Sequence, residues 1–258
     1  MSGAFQIVRT AADGLRYEDA LFLAAGPRVG MWTASERSLV CPRAFGVKVG
    51  YGEGAAASAD GGWPVFQRPT GGGVVPQGPM VANIALSFDA PSGFKIEDGY
   101  RLLVNVIKSG LGHHGDGLGV SDTPDSFCDG AWNLTVGGRK LIGTAQRWRP
   151  SNHGPARVLA HAMILIRDEI TPATQAVSTF HNALGLAPVR ADAHTSLEQA
   201  FGLRSLPFDA IHSAGLDALA ELQTLNDINS GRKTCLTKRS TSILRSPYQT
   251  QTEQAFMA

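Results

Sequence analysis

The sequence predicts an α/β or α+β domain built around one main sheet, because strand patterns alternate with helix patterns along the chain. Residues 96–112 place apolar side chains at helical spacing and predict an amphipathic helix. Residues 132–148 predict two strands joined by Gly137-Gly138, a two-residue hairpin signal. Residues 158–167 form a near-continuous apolar run that fits a buried strand. With 258 residues, of which 43% are hydrophobic and 17% charged, the chain can bury a sizeable core.

The other elements of the N-terminal half follow in chain order. Residues 15–25 predict a helix with one apolar face. Residues 38–49 partly alternate between apolar and polar side chains and predict a strand, whereas the Gly/Ala/Ser-rich residues 50–62 predict a surface loop. Residues 65–68 predict a strand that leads into a glycine turn, and strand character resumes at residues 81–88.

The C-terminal half contains longer loops and more helix. Residues 113–125 are rich in glycine and aspartate and predict a loop. A helix is predicted from Pro172 to about Leu184, because proline favours the first turn of a helix and Gly185 follows as a stop signal. Residues 216–225 predict one more helix.

The domain organisation follows from a change of character near residue 190. We expect a main domain over residues 1–190 and a small C-terminal helical appendage with a polar tail over residues 191–258. The chain after Asn226 is polar, and its end is expected to be poorly ordered.

Composition narrows the class of protein. Lys and Arg total 23 against 22 Asp and Glu, and this net charge of +1 is too low for a protein that coats nucleic acid or an acidic membrane. No segment has the pattern of a signal peptide or the length of a membrane span. The cysteines are odd in number, far apart and without zinc-site spacing, which indicates a reducing compartment and no structural metal. We therefore expect a cytoplasmic protein that binds neither nucleic acid nor membrane. The cysteines are Cys41, Cys128 and Cys235.

The first chemical motif is the glycine loop in QRPTGGGVVPQGPMVAN, residues 67–83. Three consecutive glycines leave their N–H groups open to a phosphate, a carboxylate or a thioester, and Arg68 adds a cation with forked donors. The spacing matches neither a Walker A loop nor a dinucleotide fingerprint. An ordinary glycine turn between two strands is the alternative interpretation.

The second motif is the hairpin DGAWNLTVGGRKLIGTAQRW, residues 129–148. Lys140 begins its returning strand, and strict alternation places Lys140 on the face of Thr144 and Gln146, with Leu141 and Ala145 on the other. A lysine on a rigid hairpin that faces an apolar cleft can hold an anion. The alternative is a solvated lysine at a strand edge.

Together the two motifs resemble those of the biotin/lipoate protein ligase catalytic-domain family, in its lipoate and octanoate branch. That family combines an Arg-x-x-Gly-Gly-Gly loop and a downstream Asn with a Gly-Arg-Lys-x-x-Gly-Ser/Thr-Ala-Gln hairpin. The resemblance covers roughly residues 15–190 and implies a mixed, largely antiparallel sheet flanked by helices. It departs from the family at Gln77, where a His is usual. The residues that it implies for binding the acyl donor or substrate are Arg68, Gly71, Gly72, Gly73, Asn83, Gly138, Gly143, Thr144, Ala145 and Gln146.

The resemblance implies an enzyme that attaches an octanoyl or lipoyl group to a lysine of a carrier domain, either a lipoyl domain or a glycine-cleavage H-type protein. In the transferase branch, a cysteine takes the acyl group from a thioester, with acyl carrier protein as the donor, and no cofactor is needed. In the ligase branch, ATP and Mg2+ activate the acyl acid as an adenylate. A third alternative is a non-catalytic binding relative, which the departure at Gln77 supports.

Cys128 favours the transferase among these alternatives. It precedes Lys140 by twelve residues, close to the place of the family's nucleophile ahead of the hairpin. We predict that Cys128 and Lys140 are the catalytic residues and that no metal is bound. Three nearby acids oppose a thiolate at Cys128 unless they point to solvent. These acids are Asp122, Asp125 and Asp129.

Other features have two interpretations each. The basic residues within residues 139–157 either steer an acidic carrier protein or form a solvated strand edge. Trp132 and Trp148 either line an acyl tunnel or belong to the core. Several histidines lack metal-ligand spacing and are interpreted as loop or core residues. They are His113, His114, His153 and His161.

Overall fold

Two β-sheets with helices packed against them form the fold. The computed structural model describes residues 5–152 and 154–229, so the predictions for His153, for Cys235 and for the polar tail lie outside the described residues. The strands are β1 (Phe5–Val8), β2 (Arg28–Ala34), β3 (Ser38–Pro42), β4 (Val65–Arg68), β5 (Val75–Gln77), β6 (Val81–Asp89), β7 (Gly119–Ser121), β8 (Asn133–Val136), β9 (Arg139–Arg149) and β10 (Arg157–Leu165). The helices are α1 (Ala11–Leu23), α2 (Tyr51–Asp60), α3 (Ile96–Gly110), α4 (His113–Asp116), α5 (Ile170–Ala183), α6 (Leu197–Phe201) and α7 (Phe208–Asn229), with 3-10 helices at Arg43–Val47 and Ala191–Ala193.

Seven strands form the main sheet, in the order β1-β2-β6-β10-β9-β8-β7. Only β1 and β2 pair in parallel, and every other neighbouring pair in this sheet is antiparallel. The predicted mixed, largely antiparallel sheet flanked by helices is therefore confirmed. The central strands β6 and β10 are buried along almost their whole length. Both of their faces are covered, which explains why they are apolar without alternation.

Helices cover the two faces of the main sheet. Alternation along β2 points Val29 to one face and Trp32 to the other. On the first face, α7 approaches so closely that a Cβ on Gly215 would lie 3.0 Å from Val29 Cγ2. On the second face, α1 packs directly on Trp32 at Gly14. Since α3 lies against α7, β9 and β10, the core forms one layer on each side of the sheet.

Three short strands form a second sheet, in the order β4-β3-β5, beside the single main sheet that the sequence predicts. Strand β3 pairs in parallel with β4 and antiparallel with β5. Because β3 and β4 run in the same direction, the segments that follow them leave from the same edge of this sheet. The glycine loop follows β4, and the 3-10 helix Arg43–Val47 follows β3.

Residues 50–62 are mostly helix, and the predicted surface loop is wrong. Helix α2 begins after Gly50, whose φ of 82° suits glycine, and its alanines favour helix. Gly54 lets α2 pack directly against Phe180 and Ala183 of α5. The small residues that predict a loop in isolation therefore serve close packing between two helices.

The strand predicted over residues 38–49 ends at Pro42, where a 3-10 helix turns the chain. Val47 and Val49 are 90% and 94% exposed. The partial alternation of apolar residues beyond Pro42 therefore does not mark a half-buried strand. The predicted loop at residues 113–125 likewise contains the short elements α4 and β7.

Residues 191–229 contribute to the same core as the preceding chain. Helix α7 packs against α3 and β2. Several apolar side chains of this segment are buried in the main core, namely Leu197, Leu206, Ile211, Leu219 and Leu222. The domain boundary at residue 190 stays a prediction.

Gly110→Ala is expected to lower the free energy of unfolding by roughly 1–3 kcal/mol. A Cβ on Gly110 would lie 2.6 Å from the Cα of Ile211 in α7, so α3 and α7 would have to separate. The matched control is Gly52→Ala in α2, where a Cβ meets no atom within 4 Å and alanine favours helix. Urea unfolding followed by circular dichroism measures both variants. Equal stabilities would contradict the described packing of α3 on α7.

Candidate active site

Arg68 shapes the glycine loop that follows β4. Its guanidinium donates from Nη1 to the carbonyl of Val40 at 3.0 Å, and from Nη2 to the carbonyls of Gly71 and Gly73 at 2.9 and 2.8 Å. The Arg68 side chain is buried. The Arg68 guanidinium therefore binds carbonyls of the loop and holds the three glycines against β3.

Cys128 lies in close contact with this loop. The backbone N–H of Gly73 donates to the Cys128 Sγ at 3.1 Å. A Cβ on Gly72 would lie 2.5 Å from Sγ, and one on Gly73 would lie 3.0 Å from the Cα of Cys128. Glycine at these two positions is what leaves room for the sulfur. The N–H of Gly73 thus gives this sulfur a hydrogen-bond donor from the loop.

Lys140 is buried directly behind Cys128, with no exposed surface. Its Nζ donates to the carbonyl of Phe127 at 2.5 Å and to that of Cys128 at 2.6 Å. These bonds hold Cys128 in the left-handed region, at a φ of 55°, which is uncommon for a residue with a Cβ. Burial lowers the pKa of Lys140 to about 8, against the opposing attraction of Cys128 and Asp129. This ammonium can therefore release and regain a proton near neutral pH.

A β-bulge places Lys140 on the face of the sheet opposite to the predicted one. The pairing of β8 with β9 shifts between Lys140 and Ile142, so Leu141 is an extra residue in β9. As a result, the Lys140 Nζ lies 3.2 Å from the position of a Cβ on Gly143. The prediction from strict alternation is wrong because it contains no bulge, and Lys140 shares the face of Gly143.

His194 connects the loop of Cys128 to the C-terminal part of the chain. Its Nδ1 donates to the carbonyl of Arg190 at 2.8 Å, and its Nε2 accepts the backbone N–H of Phe127 at 3.0 Å. Burial lowers the pKa of His194 to about 4, so the imidazole is neutral, as these two bonds require. No sequence motif indicates this residue, because its partner Phe127 lies 67 residues away.

The three acids near Cys128 are all exposed. Asp129 also braces the loop, since its Oδ1 accepts the backbone N–H of Thr123 at 2.6 Å. The carboxylates therefore point to solvent, where water screens their charges. The acids are Asp122, Asp125 and Asp129.

Cys128 borders a small cavity of about 40 Å³. Two of the residues that the resemblance implies for substrate binding lie away from this cavity. Gly138 lies in the hairpin turn, at a φ of 75°, and Gln146 donates to the carbonyl of Ile96 at 2.9 Å. The others lie at the cavity or in the glycine loop. Those that line the cavity are Arg68, Asn83, Gly143, Thr144 and Ala145.

Two buried polar pairs complete the cavity wall. Glu18 of α1 accepts a hydrogen bond from Trp32 Nε1 at 2.9 Å and pairs with His161 Nδ1 at 2.8 Å. His161 is thus a cavity residue, and its buried Nε2 has no hydrogen-bond partner among the described residues. Gln77 exchanges two amide hydrogen bonds with Asn83, at 2.9 and 2.8 Å. The residue that departs from the family pattern therefore satisfies the Asn83 amide.

Two arginines of the basic segment and the two predicted tunnel residues do not line this cavity. Arg147 and Arg157 pair with carboxylates of the chain itself, at 2.6 and 3.3 Å. Neither Trp132 nor Trp148 lines the cavity at Cys128, whereas Trp32 does. Both predicted tryptophans are half-buried and pack against the core, and Trp148 lines a separate cavity of about 630 Å³.

Within residues 5–152 and 154–229, no three His, Cys, Asp or Glu side chains are grouped so that they could hold a metal ion. No helix in these ranges combines the length and the apolar character that crossing a bilayer requires.

The model of the lipoyl protein ligase A/B catalytic domain family matches residues 54–220. The chain belongs to this family. An octanoyl-[GcvH]:protein N-octanoyltransferase of Kyrpidia tusciae is 34% identical over 142 residues, which are 53% of this chain and 49% of the relative. The chain thus spans about half the length of that curated relative. An uncharacterized protein of Cupriavidus necator is 35% identical over 176 residues, covering 61% of this chain and 68% of the relative.

Solved structures of lipoate ligases share the fold. Lipoate-protein ligase A, crystallised with bound ATP, aligns with a TM-score of 0.61 at 16% identity, over 87% of this chain and 86% of that protein. At this identity, the likeness establishes the fold alone. The family resemblance inferred from the glycine loop and the lysine hairpin is confirmed.

Gly72→Ala is expected to disrupt the fit between the glycine loop and Cys128. The new Cβ would lie 2.5 Å from Sγ, and Gly72 has a φ of 99°. Because the sulfur loses the N–H of Gly73, its alkylation by iodoacetamide at neutral pH should slow by roughly severalfold. The control is Gly71→Ala, where a Cβ meets no atom within 4 Å. Mass mapping of the Cys128 peptide gives both rates, and equal rates would contradict this role of the loop.

Stability is expected to fall as the pH drops from about 6.5 to about 4, because of His194. The unfolded chain protonates this imidazole near its ordinary pKa of 6.5, whereas the folded chain does so only near 4, so protons favour unfolding in this window. The His194 contribution is on the order of 1–3 kcal/mol. His194→Gln should show a weaker pH dependence in urea unfolding at pH 7 and pH 4.5. The same dependence in both proteins would show that His194 is not held neutral.

Proposed function

We propose that the chain is an acyltransferase that moves an octanoyl or lipoyl group from a thioester to a carrier-domain lysine, through an acyl-enzyme at Cys128. The observation that carries this proposal is the environment of one residue. The sulfur of Cys128 receives the N–H of Gly73, and the buried ammonium of Lys140 binds the carbonyl of Cys128. Hydrogen-bond donors and a cation beside a partly exposed thiol are typical of a nucleophilic cysteine.

In the first step, the Cys128 thiolate attacks the carbonyl carbon of the donor thioester and forms a new C–S bond. Backbone N–H groups of the glycine loop, at Gly72 and Gly73, stabilise the oxyanion. The C–S bond to the donor then breaks, and the departing thiolate takes a proton from Lys140. A pKa of about 8 suits Lys140 to this transfer near neutral pH. The products are the free donor thiol and the acyl-enzyme.

In the second step, the uncharged ε-amine of the acceptor lysine attacks the thioester of the acyl-enzyme. The C–N bond forms, the C–S bond to Cys128 breaks, and Cys128 leaves as a thiolate. The amine nitrogen gives one proton to Lys140, which returns to the ammonium form. The two steps therefore restore the enzyme, and they require no ATP, no metal ion and no other cofactor.

The carrier partners are proposed from the family and from the relatives. The name of the Kyrpidia tusciae relative gives octanoyl-GcvH as the acyl donor and a protein as the acceptor. This supports a glycine-cleavage H-type protein as an acyl-bearing partner, and we propose a lipoyl domain or such an H-type protein as the carrier that is modified. Acyl carrier protein is proposed as the donor because it presents octanoyl groups as thioesters.

The cavity has to widen when the acyl chain binds. A cavity of about 150 Å³ holds benzene, whereas the cavity at Cys128 has about 40 Å³. Part of its wall is apolar and suits a methylene chain, and Met163 there is unbranched and adaptable. The apolar wall residues include Leu15, Val40, Val75 and Met163.

Incubation with octanoyl-acyl carrier protein, without ATP, is expected to raise the intact mass of the protein by one octanoyl group. Cys128→Ala should abolish this adduct, because the thioester would have no sulfur to form on. Cys41→Ala is the matched control and should keep the adduct, since Cys41 is buried and burial raises the pKa of its thiol. An adduct that persists in Cys128→Ala would contradict the proposed acyl-enzyme.

The alternative of an ATP-dependent ligase is decided in the same experiment. The ligase structure with bound ATP shows that this fold accommodates the nucleotide in a relative. If carrier modification appears only with free lipoate, ATP and Mg2+, and persists in Cys128→Ala, the chain is a ligase. Absence of activity in both assays would favour the non-catalytic alternative.

A further inference from the structure

The turn between β3 and α2, residues 43–49, carries the most exposed large apolar side chains in the described part of the chain. Val47 and Val49 are 90% and 94% exposed, and the next most exposed is Ile7 at 73%. The two valines flank Lys48, so apolar and basic groups are interleaved over three residues. We call residues 43–49 the valine turn.

The valine turn begins beside the strand that leads into the glycine loop. It follows Pro42, which pairs with Arg68 where β3 and β4 end side by side. The glycine loop leaves the same edge of the small sheet, directly after Arg68. A Cβ on Gly46 would meet the Gln67 side chain, so the turn also packs on the last residues of β4. A protein that approaches Cys128 from this edge would therefore meet the valine turn.

Packing and hydrogen bonds at the C-terminal end of the valine turn hold it in one conformation. Gly50, at a φ of 82°, packs directly on the backbone of Ala183 in α5. The next residue, Tyr51, accepts a hydrogen bond from Gln67 Nε2 at 3.0 Å and contacts the ring of Phe180 edge-on at 5.9 Å. Exposed valines held in one conformation lose little entropy when a partner covers them.

The basic groups of the turn are free to meet a partner's charge. Arg43 and Lys48 are both exposed, and neither forms an ion pair with any residue that the structure describes. The Lys48 ammonium lies 5.4 Å from the centre of the Phe45 ring, which keeps it beside the valines. By contrast, Arg147 and Arg157 are engaged with carboxylates of the chain. The valine turn therefore offers uncompensated positive charge around an apolar centre.

We propose that the valine turn is the docking surface for the acceptor protein, and that this acceptor has an acidic and partly apolar surface around its target lysine. The inference rests on the proposed function, because it identifies the partner that the acyl-enzyme serves. An apolar centre with a charged rim fits a transient protein partner, and the positive charge steers an acidic one. The position beside the glycine loop would bring the acceptor lysine to the mouth of the Cys128 cavity.

The test measures binding separately from chemistry. In a Cys128→Ala background, the affinity for an unmodified lipoyl domain is measured by titration calorimetry. Adding Val47→Asp and Val49→Asp should weaken binding at least tenfold, because two carboxylates would face an acidic partner. Leu216→Asp is the matched control. Leu216 is 48% exposed on α7, which covers the face of the main sheet to which Val29 points. Unchanged affinity in the valine variant, or equal loss in the control, would overturn the proposal.

Further measurements distinguish a failure of the docking proposal from a failure of the proposed function. With Cys128 intact, the valine variant should still form the acyl-enzyme from octanoyl-coenzyme A, a donor that needs no protein surface. Failure of acylation in the unaltered protein would count against the proposed function and leave the affinity result to decide the docking surface. Arg43→Gln with Lys48→Gln should flatten the salt dependence of acceptor binding. If sedimentation shows a dimer that the valine variant dissociates, the turn joins two copies of the chain and the proposal is wrong.

Discussion

The bonds from the Lys140 ammonium to the carbonyls of Phe127 and Cys128 set the geometry on which the candidate site depends. A buried ammonium without acceptors is costly, and so are buried carbonyls without donors. The ammonium and the two carbonyls therefore hold one another in place. These bonds keep the backbone of Cys128 in a left-handed conformation. In that conformation its sulfur accepts the N–H of Gly73 at 3.1 Å. The same lysine has a lowered pKa because it is buried, so structural support and proton transfer come from one cause.

This constraint draws together parts of the chain that are far apart in sequence. The bulge at Leu141 turns the lysine toward the loop of Cys128. Arg68 folds the glycine loop that receives the sulfur, and His194 braces the loop of Cys128 from the other side. The main sheet, the small sheet and the chain after residue 190 therefore all contribute to one cysteine.

The small sheet presents two different surfaces, one for the proposed acyl transfer and one for the proposed binding of the acceptor protein. Its parallel pair, β3 and β4, ends at one edge, where the glycine loop contacts Cys128 and the valine turn faces solvent. A reacting thioester needs a dry cavity with N–H donors, whereas a transient protein partner needs exposed apolar and charged groups. Adjacent strand ends provide both environments within a few residues. The polar pair of Glu18 and His161 gives the cavity a wall that is not purely apolar, and the His161 Nε2 is left without a partner.

The sequence by itself determined the family, the fold class and most long elements, because helical periodicity, the hairpin glycines and the motif spacing are local signals. It also singled out Arg68, Cys128 and Lys140, which the structure brings together. Tertiary structure alone decided the bulge that turns Lys140, the helix at residues 50–62 and the place of His194. Each depends on packing or hydrogen bonding between distant segments: the bond from His194 joins residues 67 positions apart, and α2 is a helix packed on α5. Local patterns contain no information on such partners, so the support of the site became visible only in the folded chain.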